Sequence, residues 1–127
     1  MTALSNHLET LLHQWHLTAA AVTRPTAWHL GVGTGSSDAG LTGEPSGNGY
    51  ARQAVSFTVT GATASNGNAL TLGPCTGANW GTMSHFGLFD APTGGNLLWH
   101  GPLEAAKLVE VGDSLTIAVG DIALSLD

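Results

Sequence analysis

The 127-residue sequence has few charged side chains and very few cations. Charged residues make up 9 % of it, and the net charge is −6 with histidine neutral. Ordinary soluble domains contain about 25 % charged residues. Arg24, Arg52 and Lys107 are its only arginine and lysine residues. Because nucleic acids and anionic membranes are bound through clustered cations, we expect neither as a partner.

Cysteine and long hydrophobic runs are also scarce. The single cysteine, Cys75, excludes a disulfide within the chain, and we expect a buried, unreactive thiol. No apolar run approaches the roughly 18 residues of a membrane span. The first residues lack the basic and apolar regions of a secretory signal, so we expect no export by that route.

Glycine, by contrast, is abundant. The chain has 18 glycines and 5 prolines, which fall between apolar runs rather than in one tract. That distribution is typical of turns in a single β domain and not of disorder. Ser, Thr, Asn and Gly must form much of the surface. Such a surface suits a protein that packs against copies of itself or a larger shell.

The first 16 residues predict an amphipathic helix. Apolar side chains recur at helical spacing at Leu4, Leu8, Leu11, Leu12 and Trp15. Thr2 is the expected N-cap. Residues 17–24 are mostly small or β-branched and Pro25 stops any helix, so the helix is expected to end near His16. We therefore divide the chain into a helix at residues 1–16 and a β domain at residues 17–127.

A hairpin is the clearest β feature. Residues 82–90 and 96–100 alternate around a turn where Pro92, Gly94 and Gly95 favour chain reversal. Met83 is expected on the opposite face of its strand from Phe86. Half of the aromatic residues lie in or beside this hairpin, so it is expected at the centre of the core.

Other short strands are separated by turn signals. They are predicted at residues 26–32, 50–60, 68–72, 103–109, 114–119 and 122–126. Residues 50–60 form the longest and pair with residues 68–72, whereas residues 33–48 are a structureless contact loop. The pattern favours a mainly β fold, an antiparallel β-sandwich of about eight strands with jelly-roll or related Greek-key topology.

No motif indicates catalysis or a cofactor. The run from Gly31 to Gly35 lacks the Lys-Ser/Thr ending of a phosphate-binding loop. The first helix carries three histidines, His7, His13 and His16. His13 and His16 are three residues apart and share a face, but no third metal ligand follows at a fixed short spacing. The acids lie mostly in turns, and no local geometry supports a Ser-His-Asp set. We predict no enzyme activity, no metal and no cofactor.

Three stretches carry a resemblance. WGTMSHFGLFDAPTGGNLLWHGPL from Trp80, with GNGYARQAVSF from Gly47 and VGDSL from Val111, resembles a family of small phage virion proteins usually labelled phage tail fibre protein. The resemblance covers most of the chain and implies a structural protein of the virion, made in the host cytoplasm. It brings no catalytic residues.

Two functions fit that resemblance, and composition favours a capsid decoration (cement) protein. Such a protein would bind the outside of the head, contacting the major capsid protein and copies of itself as a homo-trimer or dimer. The expected assembly contacts are Leu4, Leu8, Leu11 and Trp15 on the helix and Asp38, Leu41 and Glu44 in residues 33–48. Deleting the residues before Leu17 should leave a folded β domain that no longer assembles.

The alternative is a tail-fibre or receptor-binding module docked onto other tail proteins. It would recognise host surface carbohydrate, and Trp28, Tyr50 and Trp99 are the rings that could stack on sugars if exposed. Their positions in alternating strands favour the core instead. A lectin-like or matrix module unconnected with phage is a third, weaker interpretation.

Overall fold

A computed structural model describes residues 2–125. Leu126, at the end of the strand predicted at residues 122–126, lies outside the described part. Within these residues the chain forms one α-helix and twelve short β-strands. All the described strand pairs are antiparallel. The predicted mainly β fold with one N-terminal helix is confirmed.

The elements follow one another in a simple order. They are β1 (Ala3–Leu4), α1 (Asn6–Leu17), β2 (His29–Gly33), β3 (Gly35–Ser37), β4 (Gly40–Thr42), β5 (Gln53–Ala54), β6 (Phe57–Thr60), β7 (Thr63–Asn66), β8 (Leu70–Leu72), β9 (Gly81–Phe89), β10 (Leu97–Val109), β11 (Leu115–Ile117) and β12 (Ala123–Ser125).

Four sheets result, and the largest has the order β1-β10-β9-β2-β5. The predicted hairpin forms its centre, with β9 paired to β10 on one side and β2 on the other. The other sheets are β12-β7-β6, β11-β8 and β3-β4. A jelly-roll topology stays a prediction.

The core lies between the five-stranded sheet and the two small sheets opposite it. The large sheet supplies Leu30, Val32, Met83, Phe86, Leu88 and Val109, and the small sheets supply Leu70, Leu72, Leu115, Ile117 and Leu124. These side chains are buried, and each contributes about 2 kcal/mol by leaving water. The layering is sandwich-like.

The outer face of the large sheet is covered at close range, which explains two of its glycines. A Cβ on Gly31 would lie 2.5 Å from Glu44 Oε2 and 2.6 Å from the Tyr50 hydroxyl. A Cβ on Gly33 would clash with the Thr42 carbonyl and lie 3.0 Å from Leu41 Cγ. These two glycines, which superficially suggest a phosphate loop, therefore make room for the side chains of Glu44 and Tyr50 and for the β4 strand.

The helix boundaries differ from the prediction at the N-terminus. Leu4 precedes α1; it belongs to β1 and pairs with Trp99 of β10. Ser5, not Thr2, is the N-cap, and its Oγ accepts a hydrogen bond from Leu8 N–H at 3.1 Å. Ser5 also donates to the Leu97 carbonyl. Sheet pairing therefore determines where the helix begins; its end at Leu17 is one residue past the prediction.

The predicted pairing of residues 50–60 with residues 68–72 is wrong. The segment divides into β5 and β6, and β6 pairs with β7 across Gly61, whose φ of 61° suits glycine. Residues 70–72 pair instead with β11. Asn66 is buried, and its side chain donates to the Ala118 carbonyl and accepts from Ile122 N–H, so it joins segments that are distant in the sequence.

Two further predictions need correction. Residues 33–48 are not structureless, because they contain the β3–β4 hairpin. The break predicted before residue 103 is absent, and β10 is the longest strand. The pairing register between β10 and β9 shifts between Pro102 and Lys107. Met83, which pairs with Lys107 beside this shift, lies in the same core cluster as Phe86.

Candidate assembly surface

The apolar stripe of α1 lies at the surface. The helix contains no buried residue, and Trp15 is 70 % exposed. The stripe and the chain that follows it line an open cleft of about 440 Å³, formed by Leu8, Leu11, Leu12, Trp15, Val22, Arg24 and Pro25. Of the predicted helix contacts, Leu8, Leu11 and Trp15 are brought together here, whereas Leu4 lies in β1.

A second apolar cleft, of about 390 Å³, adjoins the first through Leu8 and Pro25. It lies between the five-stranded sheet and the β12-β7-β6 sheet. Its other lining residues are Trp28, Phe57, Val59, Ala64, Leu88, Leu98, Trp99 and Leu124. Apart from the indole N–H groups of Trp28 and Trp99, these side chains carry no hydrogen-bonding atoms.

A third cleft, on the other side of α1, is polar. It has a volume of about 450 Å³, and its lining includes His7, Arg24, Asp90 and Asn96. Asp90 closes the β9–β10 turn by accepting from Asn96 N–H at 2.7 Å and from the Asn96 side chain at 3.0 Å. Burial raises the pKa of Asp90, but these bonds and the charge of His7 outweigh it, so the pKa is lowered.

The β3–β4 hairpin is fastened to the sheet by Ser36, Asp38 and His100. Ser36 Oγ shares a hydrogen bond with His100 Nδ1 at 2.9 Å, and Asp38 Oδ1 lies 2.8 Å from His100 Nε2. The Asp38 carbonyl also accepts from Asn6 N–H at 3.0 Å. These bonds link the hairpin, β10 and the start of α1.

The fold thus brings together a serine, a histidine and an aspartate that no local sequence pattern indicated. The surroundings of this set nevertheless differ from those of a hydrolase. Ser36 lies within a strand rather than at a strand-to-helix turn, and the acid is the exposed member, with the Asp38 side chain 49 % accessible. None of the three residues lines the clefts around α1. The arrangement suits fastening a hairpin.

Glu44 lies in an ion-paired cluster on the outer face of the five-stranded sheet. Its carboxylate accepts from Arg52 Nε at 2.8 Å and from Arg52 Nη2 at 2.9 Å. The Tyr50 hydroxyl donates to the same carboxylate at 2.5 Å. The Arg52 and Glu44 side chains are 8 % and 21 % exposed, so the pair is largely shielded from water.

This cluster shifts the pKa of each member. Burial alone would raise the pKa of Glu44, but hydrogen bonds from Arg52 and Tyr50 and the charge of Arg52 lower it. Burial raises the pKa of Tyr50, as does its bond to Glu44. Burial would lower the pKa of Arg52, but Glu44 reverses that effect and raises it. Glu44 is therefore a carboxylate and Arg52 a cation.

Arg52 extends the cluster to the β9–β10 turn. Nη1 donates to the Ala91 and Gly94 carbonyls at 3.1 and 2.8 Å, and the guanidinium lies 3.5 Å from the centre of the Phe89 ring. Four of its N–H groups are thus engaged within the protein. Sequence reasoning missed this role, although an arginine in a chain with only three lysine and arginine residues is a usable signal.

The three rings considered for sugar stacking differ in their surroundings. The Tyr50 ring packs edge-on against Trp80, with ring centres 5.3 Å apart. Its hydroxyl donates to Glu44 and accepts from Val32 N–H at 3.1 Å. Trp28 and Trp99 are half-buried in the apolar cleft. Trp28 and Trp99 lie among apolar side chains there, whereas Tyr50 lines a separate cleft with Glu44 and Arg52.

Cys75 is buried, as expected, and its thiol donates to the Ala78 carbonyl at 3.0 Å. Within residues 2–125, no three His, Cys, Asp or Glu side chains are grouped closely enough to hold a metal ion. The described part contains no helix long and apolar enough to cross a membrane.

Comparison with known proteins agrees with the resemblance seen in the sequence. No curated protein matches the chain. The family model for "Podophage GP4 fiber I protein gp80" matches residues 3–125, which include β1, α1 and every β-strand of the fold. The chain therefore belongs to the podophage GP4 fiber I protein gp80 family, a phage tail fibre-type family of virion proteins.

Proposed function

We propose that this protein is a non-enzymatic fibre subunit carried at the tail of a phage particle. The observation that supports it is the match to a fibre-protein family over residues 3–125. Because that match begins before the helix and ends in the last described strand, it concerns the whole folded unit. The fibre role thus rests on the family and not on any single motif.

The surroundings of the candidate catalytic groups support a structural role. Both ring nitrogens of His100 are engaged by the β3–β4 hairpin, and the Glu44 carboxylate is paired with Arg52. These bonds stabilise the positions of the β3–β4 hairpin and the β9–β10 turn, and Ser36 lies within a strand rather than at a nucleophile elbow. We accordingly propose no reaction.

Capsid decoration is the second candidate, and one observation favours it. Only 9 % of the residues are charged, and such a surface can pack against many neighbouring subunits. A decoration protein stabilises the shell because it binds the assembled state preferentially. Of the expected assembly contacts, Asp38 and Glu44 are paired within the protein, with His100 and Arg52. The assembly role of all seven residues stays a prediction; they are Leu4, Leu8, Leu11, Trp15, Asp38, Leu41 and Glu44.

Copy number per particle separates the two candidates. The chain would be quantified in purified virions by mass spectrometry with isotope-labelled peptides, using the major coat protein as the internal standard. A fibre subunit should give a small number of copies set by the symmetry of the tail. A ratio near that of the coat protein, or a simple fraction of it, would contradict the fibre proposal and support decoration.

A further inference from the structure

We propose that the two adjoining apolar clefts form one surface that binds a second copy of this chain. This surface, the tryptophan face, comprises the residues that line the clefts beside α1 and between the two sheets. Trp15 of each copy lies against the Trp28 cleft of the other. The inference does not depend on the fibre role.

The size of the exposed apolar area supports an interface. Trp15 is 70 % exposed and Val59 is 71 % exposed. Together they present on the order of 250 Å² of apolar surface, about a third of the ~800 Å² that each partner buries in a standard interface. Around them the two clefts continue the apolar surface without interruption by polar side chains other than Arg24.

The face is complementary to itself. It carries both a protruding indole, Trp15, and a cleft of about 390 Å³ with room for one. The two features are neighbours, because Leu8 and Pro25 contribute to both clefts. A two-fold contact between identical chains requires the projection and the recess on the same surface.

The face is free of the carboxylates that would oppose a second copy. Two copies with a net charge of −6 repel each other. No carboxylate lines either apolar cleft, and the one charged lining residue, Arg24, is a cation. The tryptophan face is therefore a surface at which two copies can approach without placing carboxylates opposite one another.

The edge of the β12-β7-β6 sheet gives independent support. Among the described residues β6 pairs only with β7, so one edge of Phe57–Thr60 is open. Natural edge strands are protected by charges, prolines or bulges, and β6 has neither charge nor proline. Val59 projects from this strand into the face, so a bound copy would also shield the edge.

A glycan fits this surface less well. Sugar hydroxyl groups that leave water need hydrogen-bond partners, and the lining side chains of the Trp28 cleft offer two indole N–H donors but no acceptor and no charge. An apolar protein surface needs no such partners. The lack of acceptor and charged side chains in this lining therefore favours a protein over a glycan, and the shape argument favours this chain.

The test is sedimentation of the full chain at micromolar to hundred-micromolar concentrations. Trp15→Gln removes the indole but keeps a good helix former. Leu17→Gln is the matched control, because Leu17 lies on the same helix, is 68 % exposed and lines neither cleft. Val59→Thr and Val119→Thr form a second pair, since Val119 is 61 % exposed and lies away from the face.

We expect the unmodified chain to self-associate. Trp15→Gln and Val59→Thr should each weaken association at least tenfold, whereas both controls should match the unmodified chain. The melting temperatures of all four variants should agree closely, because the altered side chains are mostly exposed. A monomer at every concentration, or equal effects of Trp15→Gln and Leu17→Gln, would overturn the proposal.

Discussion

At the scale of the residue, Arg52 connects more of the structure than any other charged side chain. It binds Glu44 through two nitrogens, the β9–β10 turn through a third, and the face of Phe89 through its guanidinium plane. A buried ion pair is costly to break from one side, because the remaining charge is left without a partner. Glu44 should therefore matter more to stability than the exposed carboxylates.

Replacing Glu44 with Gln should lower the free energy of unfolding by about 3 kcal/mol at pH 7. The pKa of Glu44 lies below its ordinary value of 4.5 in the folded protein, so its contribution is present above that pH and is lost as the pH falls through the folded value. The difference between Glu44→Gln and the unmodified chain should thus shrink below about pH 4.5.

Urea unfolding from pH 7 to pH 3 measures this dependence. Glu104→Gln is the matched control, because Glu104 is exposed; it should stay within about 0.5 kcal/mol of the unmodified chain. A Glu44→Gln deficit that does not change with pH would contradict the role given to the ion pair.

Gly31→Ala should also destabilise the protein. Its Cβ would come within 2.6 Å of both the Glu44 carboxylate and the Tyr50 hydroxyl, and overpacking of this kind costs about 1–3 kcal/mol. Gly40→Ala is the control, because a Cβ at that position meets nothing within 4 Å. Equal denaturation midpoints for the two variants would contradict this prediction, because they would show that Glu44 and Tyr50 can move aside without loss of stability.

At the scale of the element, the first helix is positioned by a short strand and one serine. Ala3 and Leu4 pair with β10, and Ser5 both caps α1 and donates to the Leu97 carbonyl. The deletion of residues before Leu17 would remove these sheet contacts together with the exposed stripe. The predicted division at residue 16 therefore needs a test that treats Ser5 separately from α1.

Ser5→Ala should cost about 1–2 kcal/mol, because it removes an N-cap and leaves the Leu97 carbonyl without this donor. Thermal unfolding should show a decrease in Tm of about 4 °C per kcal/mol for a domain of this size. Thr10→Ala, which removes an exposed hydroxyl bonded within the helix, should leave Tm almost unchanged. Indistinguishable Tm values would mean that Ser5 does not hold the helix.

Local chemistry explains which elements could be predicted. The β9–β10 hairpin combines alternating apolar residues with Pro92, Gly94 and Gly95 in its turn, so both strands and their connection are visible in one stretch. The β3–β4 hairpin is polar and is held through Ser36 and Asp38 by the distant His100. Nothing near residues 33–48 in the sequence signals that contact.

The pairing of strands that are distant in the sequence could not be predicted for the same reason. Leu72 lies opposite Leu115 in the β8–β11 pair, and no local pattern identifies a partner so far along the chain. The N-cap was misplaced because pairing with β10 competes with helix formation before Asn6. Of the predicted assembly residues, helical spacing correctly grouped Leu8, Leu11 and Trp15 on one face.

At the scale of the whole molecule, low charge and an exposed apolar face are the features on which the assembly proposals rest. The chain has a net charge of −6 but keeps carboxylates away from the two apolar clefts. Membership of a fibre-protein family agrees with a role in an assembly. Self-association through the tryptophan face and attachment to the particle are separate properties, and each has its own test.

Location on the particle tests the fibre proposal most directly. Intact virions would be labelled with a gold-conjugated antibody against this chain and viewed by electron microscopy, with an antibody against the major coat protein as the control for the head. The proposal predicts gold confined to the tail end of each particle. Gold distributed over the head would contradict it and support decoration, and particles without gold that still label for coat protein would contradict both.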